Sequence, residues 1–301
     1  MRSFASYKVA QEHNGLTLEN YLKEILQYSG RKIQKLTRQK GIFLNGKSVF
    51  LQKKISTADT IRVLVSEDTA YGVHPEQGSI EILYEDEYVL VLNKPPRQLV
   101  HPTGQTASGT LANHLAYHFA GQGIVSTVRP IHRLDRDTSG CVLFAKDGRS
   151  QFILEQQLTA NELKRTYWAL VKGIPVPSSG TIDLPIGTHP TMPNRRAIHA
   201  QGERAITHYQ TLNTFLPASA SLLELQLETG RTHQIRLHLA HLGYPIIGDG
   251  MYGVRSPLIS RQALHAHSLT FHHIKANQEI TVQAPLPADF SQALSSYTAN
   301  Q

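Results

Sequence analysis

The 301 residues are 40% hydrophobic and 18% charged, enough chain for two domains with a sizeable core and far from a disordered composition. No apolar run approaches the roughly 20 residues of a membrane span, MRSFASYKVAQEH has no signal-peptide core, and the lone Cys141 excludes an internal disulfide or a Cys-based zinc site. The net charge is +7, but residues 1–66 hold 12 Lys and Arg against 4 Asp and Glu, while residues 67–301 hold 18 against 19. A positive field so concentrated favours a polyanionic partner, whereas a merely solvated surface would spread the charge more evenly. Cys141 sits in an apolar run and reads as a reduced core residue of a cytoplasmic protein.

In chain order, Leu18, Tyr21, Leu22, Ile25 and Leu26 recur at helical spacing behind Thr17 as N-cap. A second helix is expected after Ser29, with Ile33 and Leu36 inward and Arg31, Lys35 and Arg38 on one outer face. Like charges so placed repel, a cost that phosphates would relieve. GIFLNGKSV reads as two short strands around an Asn45-Gly46 turn, and KKISTADTIRVLV ends the unit, residues 13–66, with a strand. Residues 67–80 lack periodicity and read as a linker.

Residues 81–301 form the large domain. Its opening, IEILYEDEYVLVLNKP, predicts two strands about an acidic turn, and LANHLAYHF a helix. IHRLDRDTSGCVLFAKD, Ile131 to Asp147, reads as a charged loop followed by a buried strand. Asp135 and Asp137 among Arg133 and Arg136 fit either a catalytic centre or a surface salt-bridge cluster. SQFILEQQLTANEL predicts an amphipathic helix. KRTYWALVKG then predicts a strand, with Tyr167 and Trp168 on opposite faces. A Gly/Pro-rich loop follows, with Arg195 and Arg196 either on a polyanionic partner or in solvent, and a strand begins near Arg204. Leu223, Leu225 and Leu227 alternate as a strand, Thr229-Gly230 turns, and a helix is expected from Arg231 to His241. The tail predicts two closing strands. Among the 16 histidines, His233, His238 and His241 cluster, as do His265, His267, His272 and His273, but no carboxylate completes a metal-binding pattern.

HRLDRDTSG resembles the catalytic segment of the RluA-like pseudouridine synthases, which isomerise uridine in structured RNA. LYEDEYVLVLNKPP…VHP, KRTYWALVKG and TGRTHQIR match that family in order, with a departure at Arg97-Gln98, where a glycine is common. The basic helices, hairpin and closing strand of residues 13–66 resemble the S-four-like RNA-binding module often fused to these enzymes. The resemblance implies an α+β fold: a small αβ RNA-binding module joined to a mixed, mainly antiparallel sheet domain flanked by helices. It makes Asp135 the nucleophile, lays Tyr167 against the uracil, has Arg133 push into the RNA stack, and pairs Arg231 with Asp135. A carboxylate taken out of water tends to take up a proton, and a forked guanidinium would keep it ionised and oriented. Arg236, His238 and His241 are left to helix packing and capping.

Arg31, Lys35 and Arg38 would contact phosphates with little sequence readout. The partner implied is structured RNA, ribosomal before transfer RNA, with no membrane, no obligate protein partner, and no metal or organic cofactor. Two other classes remain: a non-catalytic RNA-binding protein on the same fold, and a metal-dependent hydrolase built from the histidines.

Overall fold

The structure, a computed structural model, describes residues 3–65, 68–276 and 278–299. The N-terminal segments close around their own apolar core, with Leu18, Leu22, Ile33, Leu36, Ile61 and Val63 fully buried. Thr17 and Ser29 each cap a helical segment by accepting an amide N–H three residues on. The first segment is α-helical over Leu18–Asn20 and continues as a π-helical turn over Tyr21–Ile25; the second is an α-helix over Gly30–Arg38.

Three antiparallel strands complete this unit, in the order Phe4–Lys8, Thr60–Leu64, Ile42–Leu44. Two expectations change here. Asn45 and Gly46 do turn the chain with positive φ, but only the leading arm, Ile42–Leu44, becomes a strand. The Asn45 side chain accepts from the Thr60 amide and donates to Asp59, so the turn is tied to the following strand rather than to its own second arm. The outer strand, Phe4–Lys8, precedes the 13–66 span.

The large sheet runs in the order Ile82–Glu85, Val89–Lys94, Ser139–Ala145, Leu264–His272, Lys164–Lys172, Ala220–Leu227, Ile206–Phe215, Ser179–Asp183. Every pairing is antiparallel except Ser139–Ala145 with Leu264–His272. Val89–Lys94 and Ser139–Ala145 read as unbroken apolar runs because both faces are covered. Leu90, Leu92, Val142 and Phe144 join the core that holds the helices Leu111–Gly121, Gln234–His241 and Ala288–Thr298. Val89, Val91, Cys141 and Leu143 join the opposite core, against Leu154 of the helix Gly148–Thr159. The helix Ala288–Thr298, anchored by fully buried Phe290, was not expected from the sequence.

The sheet forks at its centre. Leu264–His272 pairs through His265 and Ala266 with Ser139 and Gly140, and then through Ser268–His272 with Glu279–Gln283. Gly140 stands at the root of the fork with φ +110°, where a Cβ would lie 2.2 Å from the Ala266 carbonyl oxygen. Only glycine permits that approach, and the charged loop Arg133–Asp137 is thereby delivered to the middle of the sheet.

Of the segment read as a linker, Glu67 lies outside the described residues. The rest is fastened along the large domain: Asp68 pairs with Arg129 at 2.6 Å, the Val128 amide donates to the Tyr71 carbonyl at 2.8 Å, and the Gly109 amide donates to Glu76 at 2.6 Å. No helix of the described residues is long and apolar enough to cross a membrane.

Candidate active site

The loop before Ser139–Ala145 is held from below by buried cations. Lys94, fully buried at the end of its strand, donates to the carbonyls of Pro95, Gln98 and Arg136 at 2.7, 2.7 and 3.0 Å. Burial pushes its ammonium down to about 7, against the pull of Asp137. Arg261, itself paired with Asp289, donates to the Asp137 carbonyl at 2.9 Å. Leu134 is buried in the core between these anchors, which leaves its neighbours Arg133 and Asp135 facing outward into a cleft.

That cleft has a volume of about 320 Å³ and is lined by Arg133, Asp135, Arg165, Tyr167, Arg231 and Arg236 among others, at the lower end of the roughly 300–1,000 Å³ of small-ligand sites. The Asp135 side chain is 24% exposed and accepts from Arg236 Nη1 at 3.1 Å. The rest of the Arg236 guanidinium is spent on Asp249, Nε to Oδ2 at 2.7 Å and Nη2 to Oδ1 at 3.0 Å. Asp249 also accepts from the amides of Met251 and Tyr252. Burial pushes its carboxyl up, but the Arg236 hydrogen bonds and charge outweigh burial and hold it below the ordinary carboxylate value. Arg236 is raised for the reciprocal reason: burial lowers it, and Asp249 and Asp135 more than offset that. One arginine thus bridges a fully buried acid and a half-open one.

This corrects the expected pairing of Arg231 with Asp135. The helix begins at Gln234, not at Arg231. Buried Gln234 accepts from Thr229 Oγ1 and from the Arg231 amide, and donates to the Ile206 carbonyl and Thr207. These bonds hold residues 229–233 as a turn, with His233 left-handed at φ 60°. Arg231 therefore sits on the turn at the rim, ion-paired with exposed Glu203 and donating from Nε to the Arg204 carbonyl. Arg236, on the first turns of the helix, points at Asp135.

Tyr167 stands in the cleft on Lys164–Lys172, 4% exposed, and burial pushes its phenol up. Trp168, on the other face, stacks on His267 of the adjacent strand with ring centroids 4.0 Å apart and packs against the core. Arg165 shares the face of Tyr167 by the two-residue repeat of a strand and is 6% exposed. Arg165 was not expected in the site from the sequence, although that spacing marks it. Arg31, Lys35 and Arg38 line one shallow groove on the N-terminal unit and make no ion pair among the described residues. His238 donates from Nε2 to the Leu184 carbonyl and accepts at Nδ1 from Thr207, and His265 likewise donates to the Ala284 carbonyl and accepts from Ser139. Burial keeps both imidazoles below their ordinary value, His265 at about 4, so these two are fastened within the fold.

Residues 88–241 match the sequence family described as RNA pseudouridylate synthase. The chain is 40% identical over 96% of its own length and 96% of the relative's to an "Uncharacterized RNA pseudouridine synthase YhcT" from Bacillus subtilis. It is 36% identical to a "Ribosomal large subunit pseudouridine synthase D" from Nitrosomonas europaea, covering 93% of this chain and 84% of that one. Among solved structures, "Human RNA Pseudouridylate Synthase Domain Containing 4" is similar, with a TM-score of 0.59 at 26% identity over 72% of this chain and 93% of the human one.

Proposed function

The chain belongs to the RNA pseudouridylate synthase family and is an enzyme of that class; from that premise we propose that it isomerises uridines of ribosomal RNA, with Asp135 as the covalent nucleophile. The observation that carries the assignment is the Asp135 carboxylate, partly open to a nucleoside-sized cleft and held in place by Arg236. A carboxylate fixed by a charge-assisted hydrogen bond, with one oxygen edge left free, is an oriented nucleophile.

In this reading the target uridine turns out of its stack into the cleft, and exposed Arg133 at the mouth takes its place. Tyr167 meets the uracil, a contact worth about 1–3 kcal/mol that offsets much of the unstacking cost. Asp135 attacks, the glycosidic bond breaks, the base turns, and carbon five bonds to the sugar. Covalent catalysis divides one hard exchange into easier steps. Residues 13–66, together with the strand Phe4–Lys8, act as an S-four-like module whose Arg31, Lys35 and Arg38 hold phosphates, while residues 81–301 carry the chemistry. The relatives named for the large ribosomal subunit support ribosomal RNA as substrate, and with it work in the cytoplasm.

Asp135→Asn is expected to lower tritium release from RNA labelled at uracil carbon five by more than about a thousandfold while RNA affinity stays within about threefold. Release at the wild-type rate would refute the assignment. Mapping pseudouridine in cells with and without the protein is expected to show sites lost from ribosomal RNA; sites lost only from transfer RNA would contradict the substrate.

A further inference from the structure

Two buried arginines line the cleft with opposite charge balance. Arg236 meets two carboxylates. Arg165 has no carboxylate within 4.0 Å among the described residues. Its Nε is buried without an acceptor, and Nη2 reaches the carbonyls of Leu227 and Thr229 only at 3.4 and 3.5 Å, beyond the length of a sound hydrogen bond. Beside it, His132 accepts the Leu143 amide at Nε2, which leaves Nδ1 as a second buried group with no partner. An unpaired buried charge is costly. Its presence on the same strand face as Tyr167, in the cleft with Asp135, calls for a negative charge that arrives with the substrate.

We propose that Arg165 donates to the uracil oxygens of the extruded uridine and stabilises the negative charge that the ring acquires during isomerisation. This deepens the reading of Asp135 as nucleophile and rests on it. If Asp135 bonds to the anomeric carbon, the electron pair of the broken C1′–N1 bond leaves with the uracil and spreads over N1, O2 and O4. It returns when C5 bonds to C1′ and the carboxylate departs; the C5 proton then goes to solvent and N1 takes one up. If Asp135 instead adds to C6, the electron pair of the C5=C6 bond moves towards O4; the C1′–N1 bond breaks with its pair on N1, which takes up a proton, the enolate pair bonds C5 to C1′, and loss of the C5 proton re-forms C5=C6 as the carboxylate leaves C6. In both routes the uracil is transiently anionic, and a buried, unneutralised guanidinium is the group that lowers that barrier.

The test is single-turnover conversion of a substrate RNA carrying either uridine or 5-fluorouridine, followed by chromatography of the digested nucleosides, with RNA affinity measured in parallel. Fluorine withdraws electrons and stabilises the anionic ring by itself. Arg165→Met is expected to slow uridine conversion about a hundredfold, to slow 5-fluorouridine loss less than about tenfold, and to leave affinity within about threefold. Arg165→Lys keeps the charge and is expected to fall between. A Cβ at Gly230 would lie 2.9 Å from Arg165 Nη1, so Gly230→Ala displaces the guanidinium without removing its charge; a partial loss, again smaller with 5-fluorouridine, is expected, and this variant serves should Arg165→Met not fold. Equal losses on both substrates, or affinity falling in step with rate as a phosphate contact would require, overturn the proposal. Failure of the parent reading is a separate result, full activity in Asp135→Asn.

Discussion

Arg231 and Arg236 lie in one eight-residue stretch, TGRTHQIR, yet they inhabit different physical regimes. At the rim, the Arg231 side chain is 37% exposed and its partner Glu203 is 70% exposed. Water and salt screen such a pair, which contributes about 0–1 kcal/mol. In the floor, Arg236 is 8% exposed and Asp249 not at all, so neither charge could remain there without the other. The contrast shows that a buried acid can do remote work. Asp249 does not itself line the cleft; by holding two of the guanidinium's three nitrogens, it fixes the third on Asp135.

The comparison breaks most visibly in stability. Arg236→Met leaves Asp249 buried and unpaired and is expected to cost about 3–5 kcal/mol in denaturant unfolding, against less than about 1 kcal/mol for Arg231→Gln. Equal costs would mean that Arg236 is not buried against its partner in solution. Next in size is a pH effect. The folded carboxyl of Asp249 lies below its ordinary 3.8, so its contribution is complete above that pH and lost as pH falls through the lowered value. The difference in thermal midpoint between the wild type and Asp249→Asn is therefore expected to be constant from pH 7 down to about 4 and to shrink only below that. Shrinkage already between pH 7 and 5 would contradict the pairing. The smallest effect belongs to the N-terminal unit, where Arg31, Lys35 and Arg38 face solvent with no ion pair among the described residues. Lys35→Ala with Arg38→Ala is expected to leave stability within about 0.5 kcal/mol and to flatten the salt dependence of RNA affinity by about 1.5 in log–log slope; an unchanged slope would remove this groove from the RNA path.

Much of this was legible from sequence for identifiable reasons. Side-chain caps at Thr17 and Ser29, and period-two or unbroken apolar runs in Val89–Lys94, Ser139–Ala145 and Ala220–Leu227, are local signals, and the local structure obeys them. Asp135 and Tyr167 were legible as members of motifs that share one cleft. The partner of Asp135 was not. That choice depends on where a helix begins, and the start is set by buried Gln234 reaching across to Ile206 and Thr207, contacts that no local pattern encodes. Moving the helix start by a few residues exchanges rim for floor. Arg165 was hidden for another reason: its significance is a missing partner, and an absence of neutralising charge exists only in three dimensions.

The most direct test of the central claim, that Arg236 and not Arg231 aims Asp135, is single-turnover tritium release by Arg236→Gln and Arg231→Gln, each assayed well below its unfolding transition. The arrangement predicts a loss of at least about a hundredfold for Arg236→Gln and less than about tenfold for Arg231→Gln. The reverse order would contradict it.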